Sequence, residues 1–304
     1  MNYQAILENI QEAMAPEFGK GRVADYIPAL ANVSPNKFGM AIQLIDGTQF
    51  KIGDANENFS IQSISKLFML QLVMRNVGDM IWTKVGKEPS GDAFNSMVLL
   101  ENEKGFPRNP FINAGAIVTT DMLMSNSKNA ADQFKNYMRL ISNNPSVDFD
   151  MDVAKSELGT AHVNFALAHF MKSHGVINNP IDALIDIYCK QCSMSMNCVD
   201  LATASLALAN KGYSAICNDS VLSERNVKRI NAVMLTCGTY DSVGSFAYRV
   251  GLPTKSGVGG GIVAIVPNVM AISVWSPELD RFGNSYVGTA ALEMFTTITK
   301  LSIF

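Results

Sequence analysis

A serine followed three residues later by a lysine can supply a nucleophile and its proton acceptor, because positions i and i+3 share one face of a helix. The sequence contains three such pairs, at Ser34–Lys37, Ser63–Lys66 and Ser125–Lys128. The first contains Pro35-Asn36 and the third lies among polar residues, so both are predicted to be solvated loops. Only the middle pair opens an apolar segment, which runs to Met74. Ser63 and Lys66 are therefore the candidates for chemistry.

The apolar segment changes the expected properties of Lys66. A helix that is apolar nearly all round is usually buried, and full burial can lower a lysine pKa from about 10.4 by up to about 3–5 units. A neutral amine could take the Ser63 proton, while the free amides of the helix N-terminus favour negative charge there. An ordinary core helix, capped by Ser63 and with Lys66 reaching the surface, would show the same motif.

A second motif, Lys255-Ser256-Gly257, begins a glycine-rich run that leads into the apolar segment Ile262–Val266. The lysine could support a proton network, the serine could relay a proton, and the glycines would let backbone amides form an oxyanion hole. A phosphate loop is disfavoured because its glycines follow a strand and open a helix, whereas these precede a strand. A glycine turn without function remains an alternative. Ser-x-x-Lys followed by Lys-Ser-Gly is typical of penicillin-recognising enzymes.

Apolar periodicity predicts which elements position these motifs. Residues from about 60 to 237 repeat apolar positions at three and four and are predicted to be almost wholly helical. Apolar-rich runs on either side of turn residues predict strands. The predicted strands are Phe38–Ile45 and Thr48–Ile52, joined at Asp46-Gly47, then Phe246–Val250, Ile262–Val266 and Val269–Ser276, and a helix Ser285–Leu301 ends the chain. We expect a single α+β domain, residues 1–304, whose antiparallel sheet comes from about 1–59 and 238–304 and whose active site lies between the sheet and the helical part.

Composition restricts the ligand to a small molecule. Net charge is −3 without a basic run, which argues against nucleic acid and anionic membranes as partners. Met1–Ile10 lacks the features of a signal peptide and no apolar run has the length of a membrane span, so a cytoplasmic protein is expected. The five cysteines are an odd number, and the Cys189–Cys192 pair alone is a weak zinc signal. The histidines at 162, 169 and 174 form no triad pattern.

Longer segments together resemble the serine-dependent glutaminases, the bacterial relatives of the kidney and liver enzymes. The segments are Phe59–Lys66, Glu88–Gly91, Pro107–Ile117, Tyr248–Pro253, Lys255–Gly261 and Val274–Glu278. The similarity extends over roughly Lys20 to Asn284. It implies a β-lactamase/transpeptidase-like fold and hydrolysis of L-glutamine to L-glutamate and ammonia through a γ-glutamyl ester on Ser63. It also implies that no metal or organic cofactor is needed, and that the protein is a homodimer or homotetramer.

The same resemblance assigns the site residues. The implied substrate contacts are Tyr26, Gln62, Ser63, Asn113, Glu157, Asn164, Tyr188, Tyr240 and Val258. A carboxylate suits the α-ammonium of glutamine, and amide or hydroxyl donors suit its α-carboxylate. Tyr240 resembles the catalytic tyrosine, a proton shuttle, with Tyr188 as a second candidate. The amides of Ser63 and Val258 would form the oxyanion hole, supported by Lys255, Ser256 and Gly257.

Three other functions are compatible with these residues. A hydrolase of the same fold could act on another small amide or ester. An amino-acid sensor could keep the pocket without turnover. A cell-wall peptidase or β-lactamase is less favoured, because those enzymes work outside the cytoplasm and an export signal is not expected here.

Overall fold

Both ends of the chain contribute strands to one antiparallel sheet in the computed structural model, which describes residues 1–304. The strands are β1 (Gly39–Leu44), β2 (Gln49–Gly53), β3 (Phe59–Ser60), β4 (Asp148–Phe149), β5 (Met194–Met196), β6 (Tyr213–Ser214), β7 (Asp219–Ser220), β8 (Thr254–Ser256), β9 (Gly261–Val266) and β10 (Met270–Trp275). The five-stranded sheet has the order β2-β1-β10-β9-β8. Gly39 pairs with Trp275 and Leu44 with Met270, so the N-terminal and C-terminal segments meet at its centre.

The remainder of the chain is mainly helical. The helices are α1 (Tyr3–Ala13), α2 (Ser65–Val77), α3 (Met97–Asn102), α4 (Asn113–Ser125), α5 (Ala130–Ser142), α6 (Met151–Gly159), α7 (His162–Ser173), α8 (Ile181–Cys192), α9 (Cys198–Ala204), α10 (Leu206–Ala209), α11 (Glu224–Cys237), α12 (Val243–Arg249) and α13 (Tyr286–Thr299). Short 3₁₀ turns include Gln62–Ile64, which precedes α2, and Tyr240–Ser242, which precedes α12. No helix has the length and apolarity needed to cross a membrane.

Two apolar layers cover the sheet, because successive side chains of a strand point to opposite faces. On β10, Ile272 and Val274 pack with side chains of α1 and α13. Ala271 and Trp275 belong instead to the larger core, which contains the apolar residues of α2 and α9. Both faces of the central strands are therefore buried, and the sheet separates α1 and α13 from the helical block.

The prediction of an α+β fold with a sheet from both chain ends is confirmed. The β1–β2 hairpin and the β9–β10 pair are antiparallel, as predicted. The segment Phe246–Val250 was wrongly predicted to be a strand, because it lies in α12 and just beyond it. Phe246 is buried and Tyr248 is 92% exposed, and a short apolar run of this kind does not distinguish a strand from a helix.

Candidate active site

Ser63 lies in the 3₁₀ turn that leads into α2. It is partly exposed, whereas its neighbours Gln62 and Ile64 are buried. Gln62 has a φ of +48°, a left-handed conformation that costs a non-glycine residue about 1–3 kcal/mol. The fold therefore holds the residue before the serine in an unfavourable backbone conformation, which is common where a side chain must be presented in one orientation.

Lys66 is completely buried, and all residues of α2 from Ser65 to Met74 are buried. This burial lowers its pKa to about 8. Its Nζ donates to Asn113 Oδ1 at 2.6 Å and to the Phe111 carbonyl at 3.3 Å. A neutral amine has two hydrogens, and these acceptors can take both of them. The nitrogen lone pair then remains available to accept a proton.

The glycine-rich turn between β8 and β9 lies directly against the serine turn. A Cβ atom on Gly257 would come within 2.5 Å of the Ile61 carbonyl and 3.2 Å of the Ser63 amide nitrogen. A Cβ atom on Gly259 would lie 2.2 Å from the Ser60 carbonyl. Only residues without side chains allow this approach. The two sequence motifs are thus brought together, and the glycines allow close approach of the two backbones.

Lys255 is buried behind the turn rather than in the open cavity. Its Nζ donates to the Gly238 carbonyl at 3.1 Å and lies 4.9 Å from the centre of the Tyr240 ring. Burial, and secondarily the charge of Lys66, hold its pKa well below the usual value for lysine. The side chain of Ser256 donates to Asn284 Oδ1. Lys255 and Ser256 therefore support the wall of the site and do not line the cavity beside Ser63.

A cavity of about 260 Å³ opens beside Ser63, a volume suited to a small ligand. Eight of the nine predicted substrate contacts line it, namely Tyr26, Gln62, Ser63, Asn113, Glu157, Asn164, Tyr188 and Val258. Tyr26 is 54% exposed and lies at the rim, while Tyr188 is buried. Asn113 Nδ2 donates to Asn164 Oδ1 at 2.9 Å, so a chain of hydrogen bonds leads from Lys66 through Asn113 to Asn164.

Glu157 provides the only carboxylate among these cavity residues. Burial raises the pKa of Glu157 to about 7. Hydrogen bonds from Gln62 and Cys192 favour the charged form and partly oppose this increase. Gln62 Nε2 donates to Glu157 Oε2 at 3.4 Å. A carboxylate with so few partners can gain one strong interaction with a cation, because an opposite charge relieves the cost of its burial.

Tyr240, the ninth predicted contact, lies at the inner wall. Its φ is +53°, which is an outlier for a bulky residue. Its buried hydroxyl oxygen makes no hydrogen bond of normal geometry. Burial raises the pKa of Tyr240, and the Ser63 hydroxyl and Val258 amide lie close enough to oppose that change. The hydroxyl is thus dry, protonated and adjacent to the serine.

Sequence reasoning missed three groups of the site. The ring of Phe94 lies 5.1 Å from that of Tyr240 and 6.0 Å from Lys66 Nζ. Cys192 lines the cavity beside Glu157, and the Phe111 carbonyl accepts from Lys66. Phe94 and Phe111 lie in or near segments that carried the resemblance, but a carbonyl contact has no signal in side-chain patterns. All five cysteines are free thiols, and no three metal-ligating side chains converge.

The fold and the site together define an enzyme of the β-lactamase-like class, in which the serine turn before α2 lies against the glycine-rich connection between β8 and β9. The sequence model described as Glutaminase matches residues 21–304, and the chain belongs to the glutaminase family. Glutaminase of Paraburkholderia phytofirmans is 53% identical over 304 residues, covering 100% of both chains. Glutaminase of Caulobacter vibrioides is 53% identical over 298 residues, covering 98% of this chain and 97% of its own.

Solved structures give the same assignment. A probable glutaminase of Bacillus subtilis superposes with a TM-score of 0.92 at 32% identity, covering 100% of this chain and 98% of its own. A covalent complex between a Bacillus subtilis glutaminase and 5-oxo-L-norleucine, formed by reaction with 6-diazo-5-oxo-L-norleucine, has a TM-score of 0.90 at 32% identity with full coverage of both chains. This chain is therefore a glutaminase, an amidohydrolase of linear amides.

Proposed function

We propose that this enzyme hydrolyses L-glutamine to L-glutamate and ammonia through a γ-glutamyl ester on Ser63, with Lys66 as the base. The observation that carries the proposal is the environment of Lys66. The amine is dry, has a pKa near 8, and has acceptors for two hydrogens and no carboxylate within hydrogen-bond reach. A lysine in this state can accept a proton near neutral pH, which a solvated lysine cannot.

In the first half-reaction Lys66 takes the Ser63 proton as Oγ attacks the γ-carboxamide carbon. The amides of Ser63 and Val258 donate to the developing oxyanion. Tyr240 gives its hydroxyl proton to the nitrogen as the carbon–nitrogen bond breaks, and Lys66 returns a proton to the tyrosine oxygen. Ammonia leaves, and the γ-glutamyl group remains on Ser63.

In the second half-reaction a water molecule attacks the ester carbon. Tyr240 accepts a proton from this water and passes its own proton to Lys66. The bond between the ester carbon and Ser63 Oγ breaks, and Lys66 returns the proton to Oγ. The buried hydroxyl of Tyr240 supports this role, because it lies beside Ser63 and makes no hydrogen bond of normal geometry to another group. Tyr188 is the second candidate for the same transfer, since it lines the cavity and is fully protonated by burial.

The α-ammonium of glutamine pairs with Glu157 in this scheme, and Asn113, Asn164 and Tyr26 contact the α-carboxylate. The ammonium would favour the ionised form of Glu157 and lower its pKa from about 7. The covalent norleucine complex of the Bacillus subtilis enzyme supports both a glutamine-like ligand and a covalent intermediate. The assembly is proposed to be a homodimer or homotetramer on family resemblance.

The test compares ammonia release from L-glutamine by wild type, Ser63→Ala, Lys66→Ala and Tyr240→Phe. Ser63→Ala should abolish turnover while glutamine still binds, and Ser65→Ala is the matched control on the same turn. Ser65 is buried and its side chain makes only one hydrogen bond, to Cys192 Sγ at 4.0 Å, so that variant should keep its rate. Turnover by Ser63→Ala would refute the covalent mechanism. Equal rates with L-asparagine would refute the choice of substrate.

A further inference from the structure

The strained turn that carries Tyr240 needs a partner to hold it. Tyr240 has a left-handed backbone conformation, and Thr239 before it and Ser242 two residues after it are buried, whereas Asp241 is exposed. A bulky residue keeps this conformation only where the surroundings determine it. If the turn relaxed, the Tyr240 hydroxyl would move away from Ser63, since the hydroxyl makes no hydrogen bond of normal geometry that would keep it there.

Asn284 contacts the turn on both sides of Tyr240. Its Nδ2 donates to Ser242 Oγ at 2.8 Å and to the Thr239 carbonyl at 3.3 Å. Its Oδ1 accepts from Ser256 Oγ at 2.6 Å. The side chain is 1% exposed, and both hydrogens and the oxygen of its amide are in use. One amide therefore joins the Tyr240 turn to β8, two residues before Val258.

The loop that carries Asn284 is itself closed by hydrogen bonds. The backbone N–H of Asn284 donates to Asp280 Oδ1 at 3.0 Å, and the backbone N–H of Asp280 donates to the backbone carbonyl of Asn284 at 2.8 Å. A Cβ atom on the preceding residue, Gly283, would lie 3.5 Å from Val258 Cγ1 and 3.6 Å from Tyr240 Cε2. The loop thus packs on the tyrosine ring and on the oxyanion-hole residue together.

We propose that Asn284 is a positioning residue for proton transfer by Tyr240. Its amide fixes the strained turn so that the tyrosine hydroxyl stays beside Ser63 and Val258. The inference rests on the proposed role of Tyr240 in protonating the leaving ammonia. If the Asn284 amide only stabilised the fold, its replacement would lower the turnover of every substrate equally. If it positions Tyr240, its replacement lowers most the turnover of a substrate whose leaving group needs a proton.

Asn284→Asp tests the proposal with almost no change of shape. The carboxylate can still accept from Ser256, but it lacks the donor that faces the Thr239 carbonyl. For L-glutamine we expect kcat to fall by about 10²-fold with little change in KM, because a catalytic group displaced by about 1 Å loses about that factor. The fast phase of nitrophenolate release from the γ-(4-nitrophenyl) ester of L-glutamate should change little, since this leaving group departs as a stable anion.

Asn231→Ala is the matched control. Asn231 Nδ2 donates to the Leu208 carbonyl at 3.0 Å from α11, the helix that leads to Tyr240. Asn231→Ala should lower the unfolding temperature, and it should change the rates with the amide and the ester by the same factor. In a Tyr240→Phe background, Asn284→Asp should cause no further loss of kcat. Ser242→Ala removes one of the two contacts and is the milder variant if Asn284→Asp does not fold.

Equal losses on the amide and the ester, or additive losses in the double variant, would overturn the inference. If Tyr240→Phe slows the amide much more than the ester and Asn284→Asp slows both equally, only the positioning role of Asn284 is wrong. If Tyr240→Phe affects both substrates equally, the proposed proton transfer fails, and the role of Asn284 fails with it.

Discussion

Replacing Asn113 by aspartate should move the pH dependence of catalysis to a higher range. Asn113 Oδ1 accepts from Lys66 Nζ at 2.6 Å, so Asn113→Asp places a negative charge beside the amine without changing its shape. In the wild type the pKa of Lys66 is lowered to about 8. With that pKa about a tenth of the lysine is neutral at pH 7, so kcat should rise about tenfold toward pH 9.

The magnitude follows from the distance. Two unit charges about 4 Å apart attract by about 4 kcal/mol at an effective dielectric constant of about 20, which corresponds to about three pKa units. The attraction favours the protonated lysine and so raises its pKa. The rising limb of kcat should therefore move from about 8 toward about 11, and kcat at pH 7 should fall by about 10³-fold.

The assay is ammonia release at saturating L-glutamine from about pH 6 to about pH 10, so that kcat is separated from KM. Asn164→Asp is the matched control, because Asn164 Oδ1 contacts Asn113 Nδ2 and not Lys66. Asn164→Asp should change KM and leave the rising limb of the kcat–pH profile near its wild-type position. A limb that stays near pH 8 in Asn113→Asp would refute Lys66 as the base.

Three further predictions concern the surroundings of the nucleophile. Because burial raises the pKa of Glu157 to about 7, its contribution to stability is present at low pH and is lost as pH rises through that value. Glu157→Gln should thus raise the unfolding free energy of the ligand-free protein by up to about 3 kcal/mol at pH 8, and should not raise it at pH 4. Thermal unfolding at the two pH values measures this difference. The same variant should raise KM for glutamine. Gly257→Ala should lower kcat by at least about tenfold, since its Cβ would come within 2.5 Å of the Ile61 carbonyl; Gly244→Ala, where nothing lies within 4 Å, should not, and a normal rate in Gly257→Ala would contradict the close approach. Dialysis against a chelator should leave ammonia release unchanged, and a loss restored by added metal would refute the metal-independent mechanism.

Apolar runs bounded by turn residues predicted the central strands well, because a strand that is buried on both faces is apolar along its length. β9 and β10 were predicted as Ile262–Val266 and Val269–Ser276, and the structure has Gly261–Val266 and Met270–Trp275. The same reasoning failed for Phe246–Val250, where a run of five residues is too short to show a helical period. It also missed β8, since three residues at a sheet edge carry no alternation.

The site was harder to predict because its chemistry depends on contacts between distant parts of the chain. The acceptors of Lys66 lie 45 and 47 residues further along the sequence, and no local pattern joins them to Ser-x-x-Lys. The first copy of the motif demonstrates the consequence. Lys37 is partly exposed and its hydrogen bond to Glu57 raises its pKa, whereas burial lowers the pKa of Lys66. The same two residue types at the same spacing thus give opposite shifts, and only the apolar sequence after Ser63 indicated which pair could react.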